Sequence, residues 1–518
     1  MDALLITGGS LWKGKKFVSG EALLIAGCTI AAAGPEEAVR AAAPASCKVL
    51  RLSGESVLPG LTDGHIHLAA WANQRALLDL SAAASLAEAL AMVRKEAERL
   101  PPDRWVRGWG YNDTRWPEGR SVTREDLDGL GIPNPILLQR ICTHINIADS
   151  KALALSGLES ETGILEERDG IPALEAMERN VFSRGEVKKA LKGALFELAS
   201  LGITCAHPCG AYDYGMEEDL SLYGELRNEG ALPLRIFTYH DRHAHPALPS
   251  GLGDGWVHYQ GLKIFLDGSL GGRTAALSSP YSDDRGEEGR LNWTDGKVLR
   301  LLREARARGV QTMLHAIGDR ALDQALRCVG QIDGEMGKAP LPDRINHVML
   351  ARPDQRRRLA GLGIFCDIQP AFIPSDMNMA ESRLGADRLP WAYSWKSLLK
   401  EGLVVAASSD APVESVNPWQ SVGHLMNRKG PGGIVFRPEE RLTLEEALPL
   451  FTSNPWRMVG REGFAGRLKA GYGADVAVLD QDISGGSSEA VSAARPRFVL
   501  AGGVLTSGEL GDWPRMTP

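Results

Sequence analysis

Residues 298–315 of the chain read VLRLLREARARGVQTMLH, and this segment decides the fold class. Val298 to Arg308 shows the apolar spacing of an amphipathic helix, and Gly309 to Leu314 follows as a short β-rich run. The same order recurs downstream, where a helical pattern over Gln355 to Ala360 leads into an apolar run from Gly363 to Ile368. Repeated helix and strand units predict parallel strands joined by helical crossovers.

Earlier segments continue the same alternation. A helical pattern over Glu186 to Ser200 leads into a strand-like run from Gly202 to Ala206, and two more such runs follow at Leu234 to Phe237 and Gly261 to Leu266. An open doubly wound sheet would also fit, but no glycine-rich phosphate loop follows an early strand. The sequence therefore predicts an α/β protein with a (β/α)8 TIM-type barrel.

The two ends of the chain differ from the barrel segment. Residues 1–60 contain short strand-like runs separated by glycines, and residues 465–518 contain similar runs. We predict that both ends build one small composite β-sandwich domain, with the barrel domain over residues 61–464. Residues 71–180 interrupt the barrel pattern, which predicts an insertion after the first barrel strand. This insertion forms either a lid over the barrel mouth or an ordinary helical layer.

Composition and charge narrow the classes of function. The 518 residues include 58 basic and 65 acidic side chains without long runs of one sign, so the net charge of −7 provides no basic surface for nucleic acid. Seven cysteines without repeated spacing predict a reducing, cytoplasmic setting. The apolar stretch from Ala22 to Ala33 is far shorter than the roughly 20 residues of a membrane helix, and Asp2 lies where a secretory signal is basic. We expect no nucleic-acid or membrane partner.

The sharpest signal for chemistry lies in residues 57–67, VLPGLTDGHIH. Residues two apart in an extended chain point to the same side, so His65 and His67 present both imidazoles together, as two ligands of one metal ion must. A His-x-His motif by itself is equally compatible with a structural role. Its position after an apolar strand favours the metal, because barrel chemistry lies where strands end.

Four later residues occupy comparable strand ends, namely Lys263, His315, His347 and Asp410. Lys263 lies inside an apolar run, so its charge needs either a partner, such as the carboxylate of Asp267, or a metal. Any one of these residues alone fits a satisfied core or loop position. Five such strand ends in one chain, counting the His-x-His motif, predict a shared site.

Longer motifs surround these residues: KIFLDGSLGGRTA at 263–275, HAIGDRA at 315–321, SDAPV at 409–413 and GYGAD at 471–475. With the His-x-His motif, they resemble the amidohydrolase superfamily of metal-dependent hydrolases. Within it the chain is similar to the YtcJ-like branch, which includes N-substituted formamide deformylases. The similarity covers essentially the whole chain.

The resemblance implies the fold already predicted and a site for one or two divalent ions, with zinc the expected metal. It implies that Lys263 is carboxylated, and that its carbamate bridges two ions if the site is binuclear. The implied metal ligands are His65, His67, Lys263, His315, His347 and Asp410. Asp410 is also suited to take a proton from the attacking water and pass it to the leaving nitrogen.

Two other polar residues, Arg273 and His144, each have two alternative roles. Arg273 either contacts substrate or anchors the glycine-rich loop, and His144 either reaches over the metals from the insertion or lies at the surface. His240, His243 and His245 fall in a proline-containing loop without a matching ligand pattern. We expect this last group to be solvated, and we include Arg273 and His144 among the candidate catalytic residues.

The chain departs from the branch at two places. Asn346 stands where the branch usually has Glu before the histidine of strand 6. In the insertion, Cys142, Thr143 and His144 replace Asp-Gly-His, and Asp149 replaces Asn. The metal-ligand positions are intact, so these changes bear on the substrate rather than on the metal.

The sequence thus predicts hydrolysis of a non-peptide carbon–nitrogen bond in a small-molecule amide, such as an N-acyl or N-formyl compound. The second hypothesis is a deaminase or cyclic-amide hydrolase on the same barrel, where mononuclear sites leave the lysine without a metal role. The third is a catalytically silent ligand-binding regulator, which has no need for an intact ligand set. The substrate, the metal and the oligomeric state stay open, a homodimer being one option.

Overall fold

The computed structural model describes residues 3–75, 77–141, 145–166, 173, 183–210, 216–240 and 248–517. These residues form two compact units. One unit joins Met1–Leu68 with Ala194–Pro518, and the other spans Ala69–Gly193. No helix in the described ranges is long and apolar enough to cross a membrane.

The first unit contains a parallel barrel sheet whose strands pair in chain order. Within the described residues its eight strands are Leu61–Ile66, Ile203–Pro208, Arg235–His240, Val257–Phe265, Gln311–Ala316, Arg344–His347, Phe365–Ile368 and Val405–Ala407. The sheet nearly closes on itself, because the Asp410 amide beyond the eighth strand donates to the carbonyl of His65 in the first, at 2.9 Å. Most strand residues are buried, as expected for a parallel sheet covered on both faces. The barrel prediction is confirmed.

Helices alternate with the barrel strands. Those described from residue 184 onward are Arg184–Ser200, Met216–Asn228, Asp295–Ala307, Asp319–Met336, Pro353–Leu362, Phe372–Leu384, Trp395–Lys400, Pro418–Asn427, Leu444–Phe451, Ser453–Met458 and Ser488–Ala493. Helix Asp295–Ala307 buries Val298, Leu301, Leu302 and Ala305. This i, i+3, i+4, i+7 spacing is the pattern that predicted the helix from the sequence.

The two chain ends share one sheet in the first unit. Strand Ser56–Pro59 pairs antiparallel with Val476–Leu479, so residues more than 400 positions apart are hydrogen-bonded neighbours. The described strands of that sheet are Phe17–Ser19, Ser10–Trp12, Ser56–Pro59, Val476–Leu479, Pro496–Ala501 and Val504–Gly508, and those of the facing sheet are Thr29–Pro35, Glu21–Ala26, Ala3–Thr7 and Lys48–Arg51. Both sheets bury side chains in one apolar core. The composite β-sandwich is confirmed, while its limits near residues 60 and 465 stay predictions.

The second unit is the insertion that follows the first barrel strand. In the part that the structure describes, it has its own mixed sheet, with strands Leu78–Asp79, Val106–Tyr111, Ile136–Arg140, Ile145–Ala148 and Ile164–Glu166. Its helices include Leu86–Ala97, Arg124–Asp128 and Ser150–Ser156. Tyr111 and Trp116 are buried in its core with stacked rings 5.6 Å apart. The insertion is confirmed, and its role as a lid stays a prediction.

Candidate metal centre

The first and eighth barrel strands bring three predicted ligands together. His65 lies in the first strand, His67 follows it directly, and Asp410 lies just beyond the eighth strand. Nε2 of His65 is 2.9 Å from Oδ1 of Asp410, and Nε2 of His67 is 3.3 Å from the same oxygen. All three side chains are buried. Their geometry fits a metal ion, because each offers a ligand atom within 4.8 Å of the others.

The histidines of strands five and six join this group. The ring centroid of His347 lies 5.5 Å from that of His65 and 4.4 Å from that of His315. Burial, with the charge of Lys263 adding to it, lowers the pKa of His65 and of His315 to about 3. Both imidazoles are therefore neutral near pH 7, which is the form that binds metals.

Lys263 lies in the fourth strand and points into the same cluster. Its Nζ donates to Oδ1 of Asn346 at 2.6 Å and lies 3.3 Å from Nδ1 of His65. The alternative in which Lys263 pairs with the carboxylate of Asp267 does not hold, because the lysine donates to Asn346. The carboxylate of Asp267 instead accepts hydrogen bonds from the backbone of residues 276, 317 and 318, at 2.8–3.1 Å. It closes the glycine-rich loop, and the lysine's partner comes from strand six.

Backbone carbonyls set the tautomers of two histidines. Nδ1 of His67 lies 2.8 Å from the carbonyl of Cys209, and Nε2 of His315 lies 3.1 Å from the carbonyl of Gly268. A carbonyl only accepts hydrogen bonds, so these ring nitrogens carry the proton. The lone pair is then on Nε2 of His67 and on Nδ1 of His315, which are the nitrogens left for a metal.

Two side chains, those of Ser408 and Gln369, determine the tautomer of His347. The hydroxyl of Ser408 donates to the carbonyl of Ile368, so it accepts from Nε2 of Gln369 at 3.0 Å. The carbonyl end of Gln369 therefore faces Nδ1 of His347, 2.8 Å away, and that nitrogen donates. His347 is left with its lone pair on Nε2.

These observations test whether the residues fit a cation. Oδ1 of Asp410 is buried, and its only near neighbours among the described ion pairs are Nε2 of His65 at 2.9 Å and Nε2 of His67 at 3.3 Å. The nearest groups are imidazole nitrogens, and that of His67 presents a lone pair rather than a proton. Electron-rich atoms that face one another in a buried site are stabilised by a positive ion between them. A nitrogen and oxygen donor set of this kind suits zinc or a similar divalent ion.

Sequence reasoning missed Asp63 as a functional residue. Its buried carboxylate accepts from the amide of His65 at 3.2 Å, from the amide of Ser409 at 3.1 Å and from the Ser409 hydroxyl at 2.6 Å. It thereby holds the ligand-bearing ends of the first and eighth strands together. The sequence signal for it is its place two residues before His65, where a carboxylate accepts from a backbone amide.

A buried ion pair between Arg344 and Asp367 contacts the hydrogen-bond partner of Lys263. Nε of Arg344 donates to Oδ2 of Asp367 at 2.9 Å, and Nη2 donates to the carbonyl of Gly64 at 2.8 Å. A Cβ at Gly64 would lie 3.1 Å from Oδ1 of Asp367, a tight contact that the glycine avoids. Asp367 also accepts from Nδ2 of Asn346 at 3.1 Å. Through this bond the ion pair helps to fix the position of Asn346, which is the hydrogen-bond partner of Lys263.

Of the remaining candidates, the structure describes Arg273 but not His144, His243 or His245. Arg273 forms an ion pair with Asp283 at 3.2 Å, which fits the loop-anchoring alternative and leaves its catalytic role a prediction. His144 lies outside the described residues, as do His243 and His245.

The expectation that His240 is solvated is wrong. The third barrel strand extends to this residue, which is 3% exposed and has its ring stacked on Tyr259. In the insertion, Cys142 and Thr143 also lie outside the described residues. Asp149 caps helix Ser150–Ser156 by accepting from the amide of Ala152, which is a structural role.

Comparisons with known proteins agree with this geometry. The model of the amidohydrolase family Amidohydro_3 matches residues 48–506. The putative amidohydrolase YtcJ of Bacillus subtilis is 31% identical over 84% of this chain and 85% of its own length. The N-substituted formamide deformylase of Arthrobacter pascens is 26% identical over 89% of this chain and 90% of its own. The crystal structure of a metal-dependent hydrolase from Pyrococcus horikoshii superimposes with a TM-score of 0.82 at 28% identity, covering 94% of this chain and 99% of that one.

Proposed function

The chain belongs to the amidohydrolase family, and from this membership we propose that it cleaves a carbon–nitrogen bond other than a peptide bond, in a small-molecule amide. Its family and the solved structure of a relative support the broader assignment as a metal-dependent hydrolase. An N-acyl or N-formyl compound is the proposed substrate class. The similarity to a protein named N-substituted formamide deformylase supports that class.

One observation carries the proposal, namely the convergence of two imidazoles and a carboxylate in a buried site. Nε2 of His65 and Nε2 of His67 both lie within 3.3 Å of Oδ1 of Asp410. We propose that these three residues hold one divalent ion, zinc being the first candidate. His315 and His347, with neutral rings and lone pairs turned away from their hydrogen-bond partners, are the proposed ligands of a second ion.

One side chain of the protein, that of Asp410, carries out both proton transfers in this proposal. A divalent ion held at this site supplies a Lewis acid for the amide carbonyl and lowers the pKa of water from about 16 to about 7. Asp410 accepts a proton from the attacking water and delivers it to the leaving nitrogen, so one carboxylate serves as base and then as acid. Water adds to the carbonyl carbon, the carbon–nitrogen bond breaks, and a carboxylic acid and an amine leave.

Lys263 is the proposed bridge between two ions. Its side chain is fully buried, and burial lowers the pKa of its amine to about 8. A neutral amine can take up carbon dioxide to form a carbamate, an anion with two oxygens. If this bridge does not form, a mononuclear site is the remaining arrangement.

A substrate screen tests the proposal. Purified protein of known metal content is incubated with N-formyl amines, N-acyl amines, cyclic amides, aminated heterocycles and Xaa-Pro dipeptides, and products are identified by mass. Metal-stripped protein and Asp410→Asn protein serve as matched controls. We expect metal-dependent turnover of an acyclic N-formyl or N-acyl compound that both controls lack.

Three results would contradict the proposal. Turnover of the dipeptides alone would place the protein among peptide hydrolases. Release of ammonia from an aminated heterocycle alone would favour the deaminase alternative. Full metal occupancy without turnover of any compound would favour the silent regulator.

A further inference from the structure

Asn346 lies between two buried groups of opposite hydrogen-bonding character. Its Oδ1 accepts from Nζ of Lys263 at 2.6 Å, and its Nδ2 donates to Oδ2 of Asp367 at 3.1 Å. All three side chains are shielded from solvent. Lys263 therefore meets a neutral amide acceptor rather than a carboxylate.

The orientation of this amide is determined by its neighbours. Both oxygens of Asp367 accept hydrogen bonds from Arg344, so the NH2 end of Asn346 must face Asp367 and the oxygen must face Lys263. Asp367 is itself held by Nε of Arg344 at 2.9 Å, and Nη1 of that guanidinium donates to the hydroxyl of Tyr239 at 2.8 Å. These partners are buried and hydrogen-bonded to one another. Oδ1 of Asn346 is therefore held in a single orientation, towards Nζ of Lys263.

We propose that Asn346 is a positioning residue that orients the nitrogen of Lys263 for addition of carbon dioxide and then holds the carbamate. In that step the Nζ lone pair forms a bond to the carbon, one C=O electron pair moves to oxygen, and one proton leaves Nζ for water. The product nitrogen keeps a single N–H, and Oδ1 of Asn346 accepts it. This inference rests on the proposed function, since the carbamate serves the metal site.

The competing explanation is structural, in which Asn346 only satisfies a buried lysine. The two explanations differ in how they respond to carbon dioxide. A positioning residue changes the concentration at which Lys263 becomes carboxylated, and a higher concentration restores the product by mass action. Removing a residue that only satisfies the uncarboxylated amine changes the stability of the fold and leaves that concentration unaltered or lowers it.

The experiment uses full-length protein stripped of metal and reconstituted with zinc over a series of ¹³C-bicarbonate concentrations. The carbamate is followed by its ¹³C NMR signal, and bound zinc by elemental analysis. In Asn346→Leu we expect the bicarbonate concentration for half-maximal carbamate to rise, because Oδ1 binds the carbamate N–H more strongly than the free amine. The upper limit of the rise is about tenfold, the factor produced by losing one hydrogen bond of ordinary strength. Bound zinc should fall at low bicarbonate and recover at high bicarbonate.

Gln324→Leu is the matched control. Gln324 is a buried amide in helix Asp319–Met336, and its Nε2 donates to Trp293 and Asp295. This variant should lose stability without changing the bicarbonate midpoint. If Asn346→Leu does not fold, Asn346→Ser replaces it, because its hydroxyl is too short to reach Nζ and the same rise is expected.

Wild-type values in the Asn346 variant, for both midpoint and zinc content, would overturn the inference. So would a loss of zinc that high bicarbonate does not restore. A wild-type protein that cleaves amides but shows no carbamate signal would also overturn it and leave the proposed hydrolysis standing. A carbamate that depends on Asn346 in a protein that cleaves no amide would support the inference and reject the proposed function.

Discussion

At the scale of single residues, one oxygen of Asp410 lies within 3.3 Å of both histidines of the His-x-His motif. Asp410→Asn keeps the shape of the side chain but cannot act as a base near neutral pH. We expect the turnover number to fall at least about 100-fold, the low end of what a positioned acid–base group contributes. Bound metal should fall less, because the histidines remain. Exposed Asp480→Asn is the matched control, and near-wild-type turnover in Asp410→Asn would place the proton transfer elsewhere.

Lys263 gives a second prediction at this scale. Lys263→Ala removes the proposed bridge, so the protein should lose at least one metal and nearly all turnover. A short carboxylate such as acetate should restore part of both, because it brings an anion into the vacated space. Ethylammonium, of similar size and opposite charge, should restore neither. A free amine at Lys263 in a crystal with two metals bound would contradict the bridging role.

Asp376 gives a prediction about pH. Burial raises the pKa of its carboxyl to about 6, although the Tyr393 hydroxyl donates to it at 2.7 Å. The folded state therefore binds a proton more tightly than the unfolded state, and stability declines as pH rises from about 4 to about 6. Asp376→Asn removes this loss. The free energy of unfolding of the variant relative to wild type should be about 2 kcal/mol higher at pH 8 than at pH 4. A difference independent of pH would contradict this.

At the scale of elements, helix Asp295–Ala307 shows how packing follows from the sequence pattern. Leu302 is buried on the face that Val298 and Ala305 share, whereas Leu299 is only partly buried. Leu302→Ala should lower the free energy of unfolding by about 2–4 kcal/mol, through lost burial and the cavity left behind. Leu299→Ala should cost clearly less. Denaturant unfolding measures both, and equal costs would contradict the assigned face of the helix.

The barrel strands show which parts of the site follow from local pattern. Alternation in strands predicts that His65 and His67 share a side, and the structure places both at Asp410. Strand boundaries were harder to predict. The third strand runs to His240 rather than ending near Phe237, because pairing with the fourth strand continues to Leu262. That pairing is a contact between distant segments, and no local pattern reports it.

At the scale of the whole molecule, the two chain ends depend on each other. Truncation after Arg461 removes Val476–Leu479, the antiparallel partner of Ser56–Pro59. The remaining N-terminal strands would expose an apolar core and an unpaired edge, so we expect aggregation. Truncation after Met516 leaves the described strands of that sheet intact and should stay soluble. Light scattering on both proteins measures the difference, and a soluble, active protein ending at Arg461 would show that the ends are independent.

The sequence by itself determined the barrel, the shared sheet of the chain ends and the order of the candidate ligands. These features depend on local spacing: apolar periodicity for helices, alternation for strands, and polar residues where strands end. Only the tertiary structure decided that Lys263 meets Asn346 rather than Asp267, that Asp63 joins the first and eighth strands, and that backbone carbonyls set the histidine tautomers. Such partners lie tens to hundreds of residues apart. Their contact depends on strand register and side-chain direction around a closed sheet, which only the assembled barrel determines.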